Sequence, residues 1–280
     1  MAQRLRDLRQ DSTSWLGRSF TGQFSLAGGQ AKTALLLRDE RWGVPSGSAA
    51  TTHIPKPAVA GLDDHDLNEH LCLDAARRAG LVAVRTKVTR FADESAVVVD
   101  RYDRREAGDE IIRVHQEDLC QALSKPPSLN YQNEGGPGPA DVARLLRSAM
   151  PPRIADDAVW RFADALIWNK LIAGTDAHAK NYSLLLACNQ VRLAPMYDVA
   201  SALPYDMHER RLRFAMKIGG DYLVFASRNN WPGAARELSV DPDTTLVGRV
   251  RELAALVADV FADVAEAPEI EALGRPCGLE

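Results

Sequence analysis

The sequence has few cysteines and no cysteine motif. Its four cysteines are spread over 280 residues, and no two of them form a Cys-x-x-Cys pair; they are Cys72, Cys120, Cys188 and Cys277. Disulfide frameworks and structural zinc sites both need cysteines at close, repeated spacings. We therefore expect neither, and we predict reduced thiols in a cytoplasmic protein.

Long apolar runs and an excess of basic residues are also missing. No stretch approaches the roughly 18 apolar residues of a membrane-spanning helix, and the first ten residues, MAQRLRDLRQ, carry too much charge for a signal peptide. The formal net charge is −4, with the basic residues scattered along the chain. We expect a soluble protein that does not enter membranes and that contacts DNA only indirectly, through a partner.

The composition is that of an ordinary globular protein, and strand patterns dominate the N-terminal part of the chain. The chain is 46% hydrophobic and 26% charged, enough for one large domain or two lobes. A short helix is predicted within residues 1–17, and a second helix has Asp63 or Asp64 as its N-cap and Gly80 just after its end. Strands are predicted on both sides of SLAGGQ (25–30) and in TTHIPK (51–56), LVAVRTKVTRF (81–91) and SAVVVDRYDR (95–104).

Helical periodicity dominates the remainder of the chain. The simplest organisation is a β-rich N-terminal lobe over residues 1–102 and an α-rich C-terminal lobe over residues 103–280. A hairpin with Cys188 and Asn189 at its turn is predicted in YSLLLACNQVRLAP (182–195). Helices are predicted in HQEDLCQAL (115–123), ADVARLLRSAM (140–150), ADDAVWRFADALIWNKLIAG (155–174) and TTLVGRVRELAALVADVFADVAE (244–266).

A glycine-containing loop and a strand lysine suggest phosphate binding. SLAGGQ holds Gly28 and Gly29, whose lack of a Cβ lets the backbone approach a ligand and direct N–H groups at phosphate oxygens. Lys56 lies on the third strand, where its ammonium would face such a loop. Glu69 on the next helix could hold that lysine in an ion pair, as a helix carboxylate does in protein kinases. Taken singly, the loop is equally a plain turn and the lysine a solvated edge residue.

The stretch GTDAHAKNYSLLL (174–186) carries the strongest chemical pattern. Asp176 and Asn181 are five residues apart, the interval that separates the catalytic base from a magnesium ligand in the protein-kinase catalytic loop. The predicted hairpin then returns the chain to the same place and delivers Asp198. Mg²⁺ prefers oxygen ligands and retains water, so one Asp, one Asn and the phosphates of a nucleotide suffice to bind it.

Four neighbouring residues are further candidates for the site. His178 is predicted to be structural or to face phosphate, because no second His or Cys lies at a zinc-ligand spacing. Lys180 either contacts the γ-phosphate or only caps the loop. Asp100 and Tyr102 lie where the two lobes would join, and there a strand commonly supplies backbone groups to adenine. An edge strand leaving the core is the alternative for that segment.

These motifs together resemble the HipA-like serine/threonine kinases, the toxins of HipBA-type toxin–antitoxin modules. The resemblance covers about residues 20–225 and rests on SLAGGQAKTALLL, TTHIPKP, NEHLCLDAARRAGL, VDRYDR, HQEDLCQAL, the loop from Tyr131 through GGPG, GTDAHAKNYSLLL and APMYDVASALP. It implies an α+β, bilobal, protein-kinase-like fold that uses ATP and Mg²⁺.

The resemblance also assigns roles to individual residues. Asp176 would be the catalytic base, Asn181 and Asp198 the metal ligands, and Lys56 the lysine that binds the ATP phosphates. Ser25 would be the autophosphorylated serine, at the start of a nucleotide-covering loop with Ala27, Gly28 and Gly29. One departure is Ala177, where the family often has glycine.

Partners follow from the resemblance as well. It implies a protein substrate, by family analogy an aminoacyl-tRNA synthetase, and a HipB-like helix-turn-helix antitoxin. Only 24 residues precede Ser25, as in short members whose N-terminal subdomain is a separate protein, and we expect such a partner here.

Two other functions remain open at this point. A small-molecule kinase of the aminoglycoside-phosphotransferase type shares the Asp…Asn…Asp layout, although the family motifs argue against it. A catalytically silent corepressor, acting with a helix-turn-helix antitoxin, is the second alternative. The intact set of Lys56, Asp176, Asn181 and Asp198 argues against a silent protein.

Overall fold

The computed structural model describes residues 1–10, 30–45, 49–108, 110–205, 211–225, 230–241 and 246–265. The helices in these ranges are α1 (Ala2–Gln10), α2 (His65–Arg78), α3 (Leu119–Ala122), α4 (Pro139–Ala149), α5 (Pro152–Leu171), α6 (Trp231–Leu238) and α7 (Val247–Ala265). The strands are β1 (Leu36–Arg38), β2 (Arg41–Gly43), β3 (His53–Lys56), β4 (Thr86–Phe91), β5 (Glu94–Asp100), β6 (Arg104–Ala107), β7 (Glu110–Arg113), β8 (His115–Asp118), β9 (Ser183–Ala187), β10 (Gln190–Leu193), β11 (Arg213–Ile218) and β12 (Asp221–Leu223). Every pairing between these strands is antiparallel, so the fold is α+β.

The N-terminal sheet has the order β3-β5-β4, with β5 in the centre. Ala96, Val97 and Val98 of β5 are fully buried, because α1 and α2 both pack against this strand. The alternative interpretation of residues 97–104 as an edge strand is therefore wrong for the part up to Asp100, where the central strand β5 ends. The chain then turns at Tyr102, the predicted boundary between the lobes.

Helix α2 starts and ends where the sequence predicts. It ends in a Schellman motif: Gly80 has a φ of 82°, and the N–H of Leu81 donates to the carbonyl oxygen of Ala76 at 2.9 Å. Its start differs in detail, because Asp64 at the N-cap position has a φ of 52° and its side chain makes no capping hydrogen bond.

The helix predicted over residues 115–123 is wrong in its first half. Residues 115–118 form β8, which pairs with β9 in a sheet of order β10-β9-β8. Pairing with a strand nearly seventy residues later in the chain satisfies their backbone groups, and local periodicity gives no sign of that partner. Helix α3 begins only at Leu119, where a capping box operates: the N–H of Gln121 donates to the Asp118 carboxylate at 2.8 Å.

The predicted hairpin is confirmed as β9 and β10. Cys188 and Asn189 form its two-residue turn with φ values of 50° and 61°. Two successive positive φ angles match the twist of a two-residue antiparallel hairpin, and asparagine tolerates them well. Cys188 is exposed there, whereas Cys72 and Cys120 are buried, and all three are free thiols.

The main core joins the C-terminal helices to α2. Phe162 and Trp168 of α5 are fully buried, and the Trp168 indole stacks on Phe261 of α7 with ring centroids 6.0 Å apart. The same indole N–H donates to the carbonyl oxygen of Cys72 in α2 at 3.2 Å. Helices α5 and α7 therefore fix the position of α2. No helix of the described ranges has the length and apolar character to cross a membrane.

Candidate active site

Lys56 is the central cation of the site. It is the last residue of β3, and only 5% of its surface is exposed. Its Nζ donates to Glu69 Oε1 of α2 at 2.7 Å and also to the Asp198 carboxylate. Burial alone would lower the pKa of Lys56, but the two carboxylates outweigh burial and raise it above the ordinary value. The ion pair between Lys56 and Glu69 that the kinase pattern suggests is therefore present.

The two carboxylates beside Lys56 have opposite pKa shifts. Burial raises the pKa of Glu69, and its Oε2 has no hydrogen-bond partner among the described residues. Burial also acts to raise the pKa of Asp198, but the charges of Lys56 and Lys32 outweigh it and bring that pKa to about 2. Asp198 thus stays ionised, as a cation ligand must.

The loop that carries Asp176 and Asn181 follows directly from the end of α5. The carbonyl oxygen of Asp176 accepts from the N–H of His178 at 2.8 Å and from the side-chain Nδ2 of Asn181 at 2.7 Å. Gly174 comes before it, and a Cβ there would force the buried Asn169 side chain to shift. The Asn181 amide nitrogen is used inside the loop, which leaves its carboxamide oxygen as the atom suited to a cation.

These elements converge on one cleft. Asp176 lies exposed at its edge, whereas Asn181 is only 9% exposed. The segment before β1 contributes Lys32, α2 contributes Glu69, and two loops of the C-terminal part contribute most of the rest. Lys56 of β3 does not line the cleft itself but binds Glu69 and Asp198, which do. The cleft is lined by Gln30, Lys32, His65, Glu69, Asn169, Asp176, Ala177, His178, Asn181, Asp198 and Ala200.

Comparison with known proteins identifies the family. Residues 24–267 match the family model of the HipA-like C-terminal domain. The chain belongs to this family. The resemblance inferred from the sequence motifs is thereby confirmed.

Two relatives and two solved structures extend the comparison. The protein Y4mE of Sinorhizobium fredii, which carries the name of a kinase, is 35% identical over 250 residues, 86% of this chain and 59% of that protein. The serine/threonine-protein kinase toxin HipA of Shewanella oneidensis is 29% identical over 220 residues, 74% of this chain and 50% of that protein. The chain thus spans between half and three fifths of these relatives.

The structural likenesses concern the fold. HipA in the Shewanella oneidensis complex of HipA, HipB and operator DNA matches 97% of this chain and 67% of that chain, with a TM-score of 0.79 at 22% identity. The Helicobacter pylori proinflammatory kinase CtkA matches with a TM-score of 0.51 at 13% identity, over 91% of this chain and 96% of that chain. The predicted kinase-like α+β fold is confirmed.

Not every predicted site residue of this HipA-family chain lies at the cleft. Asp100 pairs with His53 at 3.1 Å, and Tyr102 donates to Gln116 at 2.5 Å and stacks on Tyr197. Neither residue lines the cleft, and neither does Lys180. Asp100 and Tyr102 therefore make structural contacts here. Ser25, Ala27, Gly28 and Gly29 lie outside the described residues.

Lys32 is a site residue that the sequence analysis missed. It is 7% exposed, and its side chain lines the cleft beside Asp198. Burial lowers its pKa, and the Asp198 carboxylate acts in the opposite direction. The sequence does contain a signal for this residue. Lys32 lies inside the apolar run AKTALLL, and a lysine in such a run is either at an edge or paired with an opposite charge.

Tyr131 is the second missed residue. Its hydroxyl donates to the Asp176 carboxylate, and its ring stands edge-on to His178 with centroids 5.1 Å apart. The GGPG segment shapes this loop, because a Cβ on Gly136 would lie within 3 Å of the carbonyl oxygens of Leu129 and Tyr131. The Tyr131 hydroxyl therefore occupies a hydrogen-bonding position on the exposed carboxylate of the loop that carries Asp176 and Asn181.

Proposed function

We propose that the chain is a serine/threonine protein kinase that uses ATP and Mg²⁺. The observation that carries this proposal is the convergence of a buried lysine–glutamate pair, an ionised aspartate and the Asp176–Asn181 loop on one cleft. The names of two relatives as kinases support it. Phosphoryl transfer relies mostly on positioning and charge stabilisation, and these are the features that this cleft provides.

The donor groups of the cleft fit Mg²⁺. Asn181 and Asp198 offer oxygen atoms, which hard cations prefer. Magnesium would therefore be held by these two side chains together with phosphate oxygens and water. Bound there, it would neutralise charge that develops on the transferred phosphoryl group.

The remaining roles belong to the chain's own side chains. Lys56 is held by Glu69 so that its ammonium can bind phosphate oxygens, and Lys32 adds a second buried positive charge. Asp176 would accept the proton of the acceptor hydroxyl at the exposed edge of the cleft, where a protein substrate has access. The Tyr131 hydroxyl occupies Asp176 Oδ1, one of the two carboxylate oxygens, so an acceptor hydroxyl competes with it at that oxygen.

Binding of Mg-ATP is expected to raise the melting temperature by about 5 °C. Saturation at a hundred times the Kd stabilises a folded protein by about 2.7 kcal/mol, and each kcal/mol shifts the melting temperature of a chain of this size by about 2 °C. Differential scanning fluorimetry with ATP and MgCl₂ measures the shift. Asp198→Ala should lose it, whereas Asp156→Ala, at an exposed position of α5, should keep it. An equal shift in both variants contradicts the assignment of Asp198.

We further propose that Ser25 is autophosphorylated and that its phosphate weakens ATP binding. A phosphoserine adds about −1.5 to −2 charges, and in the nucleotide-covering loop these would repel the triphosphate. ATP affinity should fall at least about tenfold, the equivalent of 1.4 kcal/mol. Intact mass and peptide mapping after incubation with Mg-ATP detect the phosphate, and titration of the phosphorylated protein measures the affinity.

Matched variants separate the two halves of the Ser25 proposal. Ser25→Asp should bind ATP weakly and Ser25→Ala normally, while Asp176→Asn should acquire no phosphate. Phosphate that maps elsewhere refutes the site, and unchanged ATP affinity of the phosphorylated protein refutes the inhibitory effect.

Tyr131→Phe is expected to lower the KM for a protein acceptor about 2- to 10-fold, with the KM for ATP unchanged. The reason is that the variant removes the hydroxyl that competes for Asp176, and one net hydrogen bond is worth about 0.5–1.5 kcal/mol. Steady-state kinetics with a peptide acceptor provide the measurement. A lower kcat with an unchanged acceptor KM would instead make Tyr131 a residue that positions Asp176.

The partners are proposed from the relatives. One relative is named a toxin, and one matching structure is a complex of HipA with HipB and operator DNA. We propose that this chain is likewise a cytoplasmic toxin with a HipB-like helix-turn-helix antitoxin, through which alone it contacts DNA, and that an aminoacyl-tRNA synthetase is its substrate. A separate protein resembling the N-terminal subdomain is a further proposed partner. Sequence-specific DNA binding by the isolated chain in a gel-shift assay contradicts this arrangement.

A further inference from the structure

An apolar cavity lies away from the active site, between α2, α7 and the segment after Asp198. Its volume is about 280 Å³, close to the lower end of the range for ligand pockets. We refer to it as the α2–α7 cavity. It is lined by Asp63, Asp64, Leu67, Asn68, Leu71, Cys72, Leu171, Ile172, Ser201, Leu203, Pro204, Tyr205, Val257, Ala258 and Phe261.

The interior of this cavity is apolar, and its polar groups are already paired with one another. The Cys72 thiol donates to Asn68 Oδ1 at 3.2 Å, and Asn68 Nδ2 donates to the carbonyl oxygen of Ser201 at 2.8 Å. The Ser201 hydroxyl donates to the carbonyl oxygen of Ile172 at 2.6 Å. A ligand inside therefore meets hydrocarbon and aromatic surface, which favours an apolar molecule.

The rim carries charge of one sign. Asp63 and Asp64 are exposed at the start of α2, and the described lining contains no lysine or arginine. The Asp64 side chain makes no capping hydrogen bond at the start of α2. Leu203, also in the lining, is 50% exposed. An occupant with an apolar body and a cationic end matches both the interior and the rim.

We propose that the α2–α7 cavity binds a small apolar amine. The ring or alkyl part would pack between Leu71 and Phe261, and the ammonium would lie at Asp63 and Asp64. This site is distinct from the nucleotide cleft, because the face of α2 that lines it is not the one on which Glu69 meets Lys56.

Hydrogen bonds of Asn68 link the cavity to the active site. Its side chain binds both the carbonyl oxygen and the N–H of Ser201, three residues after Asp198, while Glu69 next to it holds Lys56. A ligand that binds the described arrangement favours that arrangement. On the proposed kinase function, we expect the amine to change the affinity for Mg-ATP, and Mg-ATP to change the affinity for the amine by the same factor, because coupling between two sites is reciprocal.

The experiment uses 1-naphthylmethylamine as the probe and 1-naphthylacetate as its anionic counterpart. Ligand-observed NMR and calorimetric titration with the full chain measure the affinities. The amine should bind more tightly than the carboxylate. Ala258→Trp fills the cavity from its exposed rim. It should lower the affinity for the amine at least about tenfold, because the ring of the amine can then no longer be buried there. Ala255→Trp, at an exposed position of α7 outside the lining, should leave the affinity unchanged.

A second variant tests the charge at the rim. Asp63→Asn combined with Asp64→Asn should abolish the preference for the amine over the carboxylate. Failure of the full chain to bind the amine, equal affinity of both probes for the unmodified chain, or equal affinity of both tryptophan variants overturns the proposal. Amine affinity that is the same with and without saturating Mg-ATP refutes the coupling, and the separate melting-temperature assay shows whether Mg-ATP was bound.

Discussion

Asp176→Asn is expected to lower the rate of phosphoryl transfer at least about 100-fold, the scale for the loss of a positioned general base. ATP affinity should hardly change. The bonds that shape the loop use the Asp176 carbonyl oxygen, which the substitution keeps, and asparagine retains an oxygen that can accept from Tyr131. Single-turnover transfer to a peptide acceptor and ATP titration measure the two quantities separately.

Asn181→Ala is the matched comparison within the same loop. It removes both the proposed metal-binding oxygen and the amide that holds the Asp176 carbonyl at 2.7 Å. Metal binding, nucleotide binding and rate should therefore all fall. If both variants lose nucleotide binding equally and the unmodified chain shows no transfer, the silent corepressor is the better interpretation. Efficient transfer to an aminoglycoside, with none to protein, would favour the small-molecule kinase.

The parts of the site that could be predicted from the sequence are those whose residues lie close together along the chain. The five-residue spacing from Asp176 to Asn181 is a property of one loop, and the structure closes that loop with a hydrogen bond between the two residues. Lys56 and Glu69 are separated by one turn and the start of a helix, so the kinase pattern could pair them. Helix ends at glycine and hairpin turns at asparagine follow from backbone conformation and were equally predictable.

The sequence failed where distant segments meet. Residues 115–118 form a strand because β9 lies beside them, and nothing local in HQED predicts that neighbour. Tyr131 reaches Asp176 across 45 positions of sequence. Lys32 is a site residue only because β3 and the Asp198 loop surround it. The side chains of Asp100 and Tyr102 make cross-strand and aromatic contacts, and the role of their backbone groups in adenine binding stays a prediction.

Lys56→Met is expected to destabilise the nucleotide-free protein by about 3 kcal/mol or more, in addition to abolishing transfer. Removing one partner of a buried ion pair leaves an uncompensated charge, which typically costs about 3–5 kcal/mol. Here the remaining charge is Glu69, only 1% exposed, with Asp198 beside it. Urea denaturation of both proteins measures the difference. Lys87→Met, at an exposed position on β4 of the same sheet, should change stability by less than about 0.5 kcal/mol.

A double variant tests whether the cost comes from the buried charge. Lys56→Met combined with Glu69→Gln removes the unpaired carboxylate, so it should regain at least half of the stability lost in Lys56→Met while remaining inactive. The penalty in the single variant should also shrink as the pH falls, because burial raises the pKa of Glu69 and protonation then neutralises it. Additive losses in the double variant, or a single variant as stable as the unmodified chain, would mean that the Lys56–Glu69 pair does not hold α2 against the sheet. The position of α2 would then depend on its packing against α7, β4 and β5 and on the hydrogen bond from Trp168 of α5.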